Sequence, residues 1–250
     1  MATASTARWR SVAVLLATVA GMALTARLGF WQLDRAAQKA ALQHSLDERR
    51  ALPELPQQAL ARSPAEAAAQ HDRSTRLSGR WLAARTVYLD NRQMDGRPGF
   101  FVIVPLRLED GRVVAVQRGW MPRALDDRTR LQPLRLGEGV VTVAGRIAPP
   151  PGRLYEFDVA ASGAIRQNLD LPAYAAEIGS PLAPVSLVED EASPAAAGDG
   201  LARRWPAPAL GIHKHYGYAF QWFALCALMA ILHVWFRILR PHFRRARRAA

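Results

Sequence analysis

Between Tyr216 and Phe236 the chain runs twenty-one residues without an Asp, Glu, Lys or Arg. That run leaves few folds open. As a helix rising about 1.5 Å per residue it measures roughly 30 Å, the thickness of a bilayer's hydrocarbon core. Its entrance is aromatic and polar, with His213-Lys214-His215 ahead of Tyr216, Tyr218 and Trp222. Its exit is basic, through Arg237, Arg240, Arg244, Arg245, Arg247 and Arg248. Arginines gathered at one end of an apolar helix mark the cytoplasmic side. The segment therefore reads as a transmembrane helix over 215–236 with a cytoplasmic Arg-rich tail over 237–250.

A second apolar run, Ser11 to Ala26, follows Arg8 and Arg10 and resumes after Arg27 with Leu28-Gly29-Phe30-Trp31. With Arg27 snorkelling and the aromatic pair at the interface, a first span over 11–31 is long enough. A cleavable signal peptide is the competing reading, because a basic start and an apolar run also fit one. No A-x-A cleavage site follows, which favours a retained helix. Two spans with the C-terminus inside place residues 1–10 in the cytoplasm and residues 32–214 in the periplasm of a bacterium. A loop of that length is translocated whatever its charge.

A net charge of +12 would ordinarily point to nucleic acid, but Arg8, Arg10 and the six C-terminal arginines carry most of it. Basicity beside apolar helices serves anionic headgroups, so the partner read from charge is membrane lipid and not nucleic acid. Cys226 is the single cysteine. An internal disulfide, a C-x-x-C redox or zinc motif, covalent haem attachment and a cysteine-pair copper chaperone are thereby excluded.

Leu33 to Arg50 is rich in helix formers and extends the first helix. Residues 51–70 read as an Ala/Pro/Gln-rich linker with a short helix. Strand patterns cover Thr75 to Trp81, Thr86 to Leu89, Val140 to Ile147, Ala164 to Leu169 and Ala183 to Val188. Asn91 to Gly99 is turn chemistry, and Phe100 to Leu108 joins Arg112 to Arg118 through Asp110-Gly111 as a hairpin. Leu171 to Ile178 reads as a short helix. The sum is an α+β membrane protein: two transmembrane helices flanking a mainly antiparallel sheet, curled or barrel-like, with short helices.

No nucleophile with its base, metal-ligand cluster or phosphate loop is recognisable, so no enzyme is expected. Asp126-Asp127 and Glu189-Asp190-Glu191 read as solvated surface, and His44 and His71 as surface histidines. His215 and His233 stand eighteen residues apart, about five helical turns or 27 Å along one face that Tyr218, Trp222, Cys226 and Met229 also approach. A neutral imidazole at such a helix end suits an axial ligand of haem iron, with flat aromatics against the macrocycle. The plainer reading is a histidine at the headgroup boundary within an aromatic belt, and spacing alone favours it. His233 reads as a helix-packing or interfacial residue, and His213 as a weak metal signal.

Several segments together resemble the Surfeit locus protein family. Leu28-Gly29-Phe30-Trp31-Gln32 with Arg35 and Lys39 is similar to its L-G-x-W-Q-x-x-R-x-x-x-K block. Leu77-Ser78-Gly79-Arg80-Trp81, Leu89-Asp90-Asn91-Arg92, Gly96-Arg97-Pro98-Gly99-Phe100 and Pro105-Leu106 follow in order. Asp110-Gly111, Arg118-Gly119-Trp120-Met121-Pro122 and Gly145-Arg146 come next, and His215-Tyr216-Gly217-Tyr218-Ala219 with Trp222-Phe223 closes the series. Gln117 and Val104 stand where Asn and Thr are frequent, and residues 148–210 match least.

The resemblance implies a bacterial membrane factor for assembly of haem-copper cytochrome c oxidase, at or near insertion of haem a into the catalytic subunit. Its implied partners are that subunit and haem-biosynthesis or assembly proteins. It makes His215 a candidate axial ligand of haem a, with Tyr218 and Trp222 as candidate packing residues. Arg35, Arg80, Arg92 and Arg118 stand either as partners of haem propionates or of the oxidase, or as braces within the domain. A scaffold that binds no cofactor is the alternative. A sensor is disfavoured by the short stretch of about fourteen residues after the second helix.

Overall fold

The computed structural model describes residues 2–124, 126–127, 129–154, 163–205 and 211–241, with side chains from Trp9 onward. The tail expected beyond Pro241 lies outside the described residues. In chain order the elements are helices α1 (Ala2–Ala51) and α2 (Pro64–Gln70), then strands β1 (Ser74–Trp81), β2 (Val87–Met94), β3 (Arg97–Leu108), β4 (Val113–Pro122), β5 (Val140–Ala148) and β6 (Ile165–Arg166). Helix α3 (Leu171–Ile178), strand β7 (Leu182–Glu189) and helix α4 (Ile212–Val234) complete the chain. They divide into two compact units, residues 1–45 with 209–250, and residues 46–208.

The helical unit pairs α1 with α4, which continues as a π-helical turn over Trp235–Leu239. Good helix formers carry α1 without a break until Pro53, whose ring restricts the residue before it and removes a backbone donor. Both helices are long and apolar enough to cross a membrane. Leu16, Phe30, Phe220 and Ile231 are all more than half exposed, so the pair carries a large apolar surface, as a membrane-associated protein would.

Small residues set the approach of the two helices. A side chain on Gly29 would begin 2.7 Å from the Phe223 ring, and Phe223 also meets Phe30 edge-on at 5.2 Å between centroids. Thr25 is buried one turn earlier, and Gly21 faces the Met229 sulfur one turn before that. Gly21, Thr25 and Gly29 thus form a small-xxx-small row, the usual device for close packing where no hydrophobic effect drives helices together.

The other unit is a seven-stranded sheet in the order β1-β5-β7-β4-β3-β2-β6, with β1 also paired to β3. That pairing, Gly79 to Trp81 against Leu108 to Leu106, closes five strands into a barrel. A Cβ on Gly79 would run into the Arg107 carbonyl, so closure there requires glycine. Antiparallel ladders dominate, while β4 with β7 and β2 with β6 are parallel. One core gathers Leu77, Leu106, Val116, Val143 and Leu187. Another packs α3, through Tyr174, on Val87, Leu89 and Ile103. Asp170 caps α3 by accepting from the Ala173 amide at 3.0 Å, and Gly179 ends it in the left-handed conformation.

Three sequence expectations change. Residues 51–70 hold the short helix expected there, α2, but are more than a linker: Leu55, Leu60, Ala61 and Ala67 are buried in the barrel core. The strand expected over Ala164 to Leu169 shrinks to Ile165–Arg166, since Asn168 instead exchanges hydrogen bonds with the Leu154 backbone at 2.7 and 2.8 Å. The turn expected over Asn91 to Gly99 tightens to Asp95-Gly96, with β2 extending past a bulge to Met94.

Candidate functional site

His215 lies in the first turn of α4, and its Nδ1 is 2.7 Å from Oε1 of Gln32 on α1. With the amide oxygen of Gln32 turned to the ring, the contact is made by an Nδ1–H imidazole, since an amide oxygen only accepts. Arg35 and Lys39 follow Gln32 by three and seven residues and share its face of α1. Arg35 donates to Gln38 Oε1 at 3.1 Å and lies 5.8 Å from the Trp31 ring.

The face shared by His215, Trp222, Cys226, Met229 and His233 is the one turned to α1. Cys226 Sγ reaches the Met22 carbonyl at 3.5 Å, and His233 Nδ1 meets Thr18 Oγ1 at 3.3 Å. His233 thus takes the helix-packing place expected of it. Arg237 closes the row by donating to the Ser11 hydroxyl and carbonyl at 3.2 and 2.9 Å. Trp222 is half-buried, whereas Tyr218 stands outside the seam and exposed, as does His213.

The candidate arginines of the sheet unit turn inward. Arg118 is fully buried and donates to Glu189 Oε2 at 2.9 Å, Asp199 Oδ2 at 2.5 Å and the Ala195 carbonyl at 2.7 Å. Its guanidinium lies 4.7 Å from the Trp81 ring centre. Arg203 joins the same two carboxylates, reaching Glu189 Oε2 at 3.0 Å and chelating Asp199. Ser193 donates to Glu189 Oε1 at 2.8 Å. Two arginines and two carboxylates therefore balance in a dry network. Burial alone would raise the Asp199 carboxyl, but hydrogen bonds from Arg203 and the Leu201 amide, with the charges of Arg203 and Arg118, outweigh it and hold it below the ordinary range.

Arg92 is buried as well, donating to the Gln167 carbonyl at 3.0 Å and lying 5.9 Å from the Phe101 ring. Trp120 Nε1 donates in turn to the Arg92 carbonyl at 2.9 Å. Arg80 is exposed on β1.

Two surface readings are corrected here. Glu189 is fully buried, because it ends β7 under the 193–205 segment and not in a loop; Asp190 and Glu191 are exposed, as are Asp126 and Asp127. His71 is half-buried with Nε2 enclosed, in an apolar hollow of about 490 Å³ lined by Pro64, Leu171 and Pro184. Among the described residues no three His, Cys, Asp or Glu side chains gather as a metal site.

Gln32, Glu189, Asp199 and Arg203 are the participants that residue patterns alone did not single out. Gln32 lies within the tryptophan-glutamine block, so its place was visible while its partner, 183 residues away, was not. The carboxylates carry no local signal, since Glu189 and Asp199 reach Arg118 from 71 and 81 residues further along the chain.

A family profile described as the SURF1 family matches residues 19–227, from the middle of α1 into α4 and across the whole sheet unit. No curated protein matches the chain significantly. The profile covers most of the sequence, including Gln32, His215 and the Arg118 network. The chain belongs to the SURF1 family, the Surfeit locus family of membrane-associated factors in cytochrome oxidase assembly.

Proposed function

We propose that this chain is a non-enzymatic membrane assembly factor for haem-copper cytochrome c oxidase that acts when haem a enters the catalytic subunit. It holds haem a in transit through His215. The observation that carries this reading is the His215–Gln32 hydrogen bond at the end of an apolar helix pair. A ring whose Nδ1–H is engaged presents Nε2 as a donor of electrons, the state an iron ligand requires. The residues fit such a cargo: Tyr218 and Trp222 lie one and two turns along α4 as flat surfaces for a macrocycle. Arg35 and Lys39, beside His215, suit its carboxylates. Arg92 and Arg118 lie buried in the sheet unit instead, donating to the Gln167 carbonyl and to Glu189, Asp199 and the Ala195 carbonyl respectively.

One imidazole ligand suits a carrier, because a cargo held at a single axial position leaves more readily than one enclosed between two. In this reading α1 and α4 span the bacterial inner membrane with both termini in the cytoplasm. Residues 32–214 then stand in the periplasm, where they would meet the oxidase catalytic subunit and haem-delivery proteins. The basic ends of the helices rest on anionic lipid.

A second reading, a scaffold that binds no haem, is favoured by one specific parallel. The His233–Thr18 contact knits the same helices at the opposite end of the seam, so His215–Gln32 has a structural counterpart. Purification from cells that make haem a separates the two. The absorption spectrum of the wild-type chain should carry the haem a bands, and His215→Ala should lose them. Equal haem content in both, or none in the wild type, rejects the carrier reading.

A further inference from the structure

We infer that Gln32 is a positioning residue for His215, holding the imidazole as its Nδ1–H tautomer and so reserving Nε2 for an electron-pair acceptor. The inference rests on the carrier reading only for the identity of that acceptor, haem iron. Its geometry stands independently. The two side chains meet at 2.7 Å from separate helices, and Gly29, one turn before Gln32, is pressed against Phe223, two turns beyond His215. Both ends of the bond are thus placed by packed helices and not by loops, the condition for a fixed orientation.

The chemistry of the acceptor matters. A hydroxyl both donates and accepts, so the Thr18 contact to His233 at 3.3 Å selects no tautomer. A carboxamide offers either its oxygen or its NH2, and here Gln32 turns the oxygen to the ring, the orientation that selects Nδ1–H. A carboxylate in its place would also select Nδ1–H, but it would draw the proton and make Nε2 a stronger, less exchangeable ligand. A neutral acceptor therefore suits a histidine that must bind and release.

The test uses the full chain in detergent micelles, haem-free, with ¹⁵N-labelled histidine, the His215 ring signals being identified by their loss in His215→Ala. Wild type should show His215 protonated at Nδ1. Gln32→Leu should move the proton to Nε2, the form an unpartnered imidazole prefers, and Gln32→Glu should restore Nδ1–H. Hemin added as the probe should bind Gln32→Leu about 10–100-fold more weakly than wild type, and Gln32→Glu should recover binding with a lowered midpoint potential. An Nε2–H tautomer in the wild-type chain overturns the inference. So does unchanged hemin affinity in Gln32→Leu alongside its loss in His215→Ala. Equal hemin affinity in wild type and His215→Ala, with the tautomer still responding to Gln32, rejects the carrier reading alone and leaves the role of Gln32 standing.

Discussion

At the scale of single residues, two kinds of polar side chain divide the work. Arg118, Glu189, Asp199 and Arg203 are buried and pair with one another, whereas His215, Arg35 and Lys39 lie at the end of a helix pair. Removing one partner of a buried network leaves a charge without compensation, so Arg118→Met should destabilise the chain by about 3–5 kcal/mol in denaturant titrations followed by tryptophan fluorescence. The Asp199 carboxyl is held below its ordinary value, so the folded state binds protons there less readily than the unfolded one. Its contribution is complete above the ordinary carboxylate value of about 4 and fades as pH falls through the folded value. Asp199→Asn should therefore flatten the acid limb of the stability curve. Lys39→Ala and Arg35→Ala should each weaken hemin binding several-fold while leaving folding intact, and binding equal to wild type would remove them from the site. Sequence reading reached His215 through the resemblance and Arg118 through its R-G-W block. It left the arginine's role open, because a guanidinium's partners are set by strands that meet only after folding.

At the scale of elements, the seam between α1 and α4 depends on small residues facing large ones. Gly29→Val should force the helices apart at Phe223, costing about 1–3 kcal/mol of stability in detergent, and Phe223→Ala in the same chain should recover part of that loss. Additive effects of the two changes would contradict a direct contact. The helices and most strands were legible because apolar runs and turn residues are local signals. The small-residue row at Gly21, Thr25 and Gly29 is equally local, but its four-residue spacing is masked by the many alanines around it. Barrel closure by β1 against β3 was not legible, since register between strands so far apart depends on the whole sheet. The segment over 51–70 reads as a linker because its few leucines are spread among prolines, yet Leu55 and Leu60 join the core.

At the scale of the whole molecule, two apolar helices precede and follow a β domain in sequence, and the family places the chain in cytochrome oxidase assembly. The proposed topology predicts that reporter fusions at both termini are active in the cytoplasm, while cysteines introduced on exposed strand positions such as Arg76 react with a periplasmic, membrane-impermeant thiol reagent. Labelling at a terminus but not at residue 76 would invert the arrangement. The central claim, assembly at the haem a step, is tested most directly by the ratio of haem a to catalytic subunit in oxidase isolated from cells lacking this chain. The account predicts that the subunits are made while the ratio falls, with wild type restoring it and His215→Ala restoring it poorly. An unchanged ratio in the deletion strain would contradict the account.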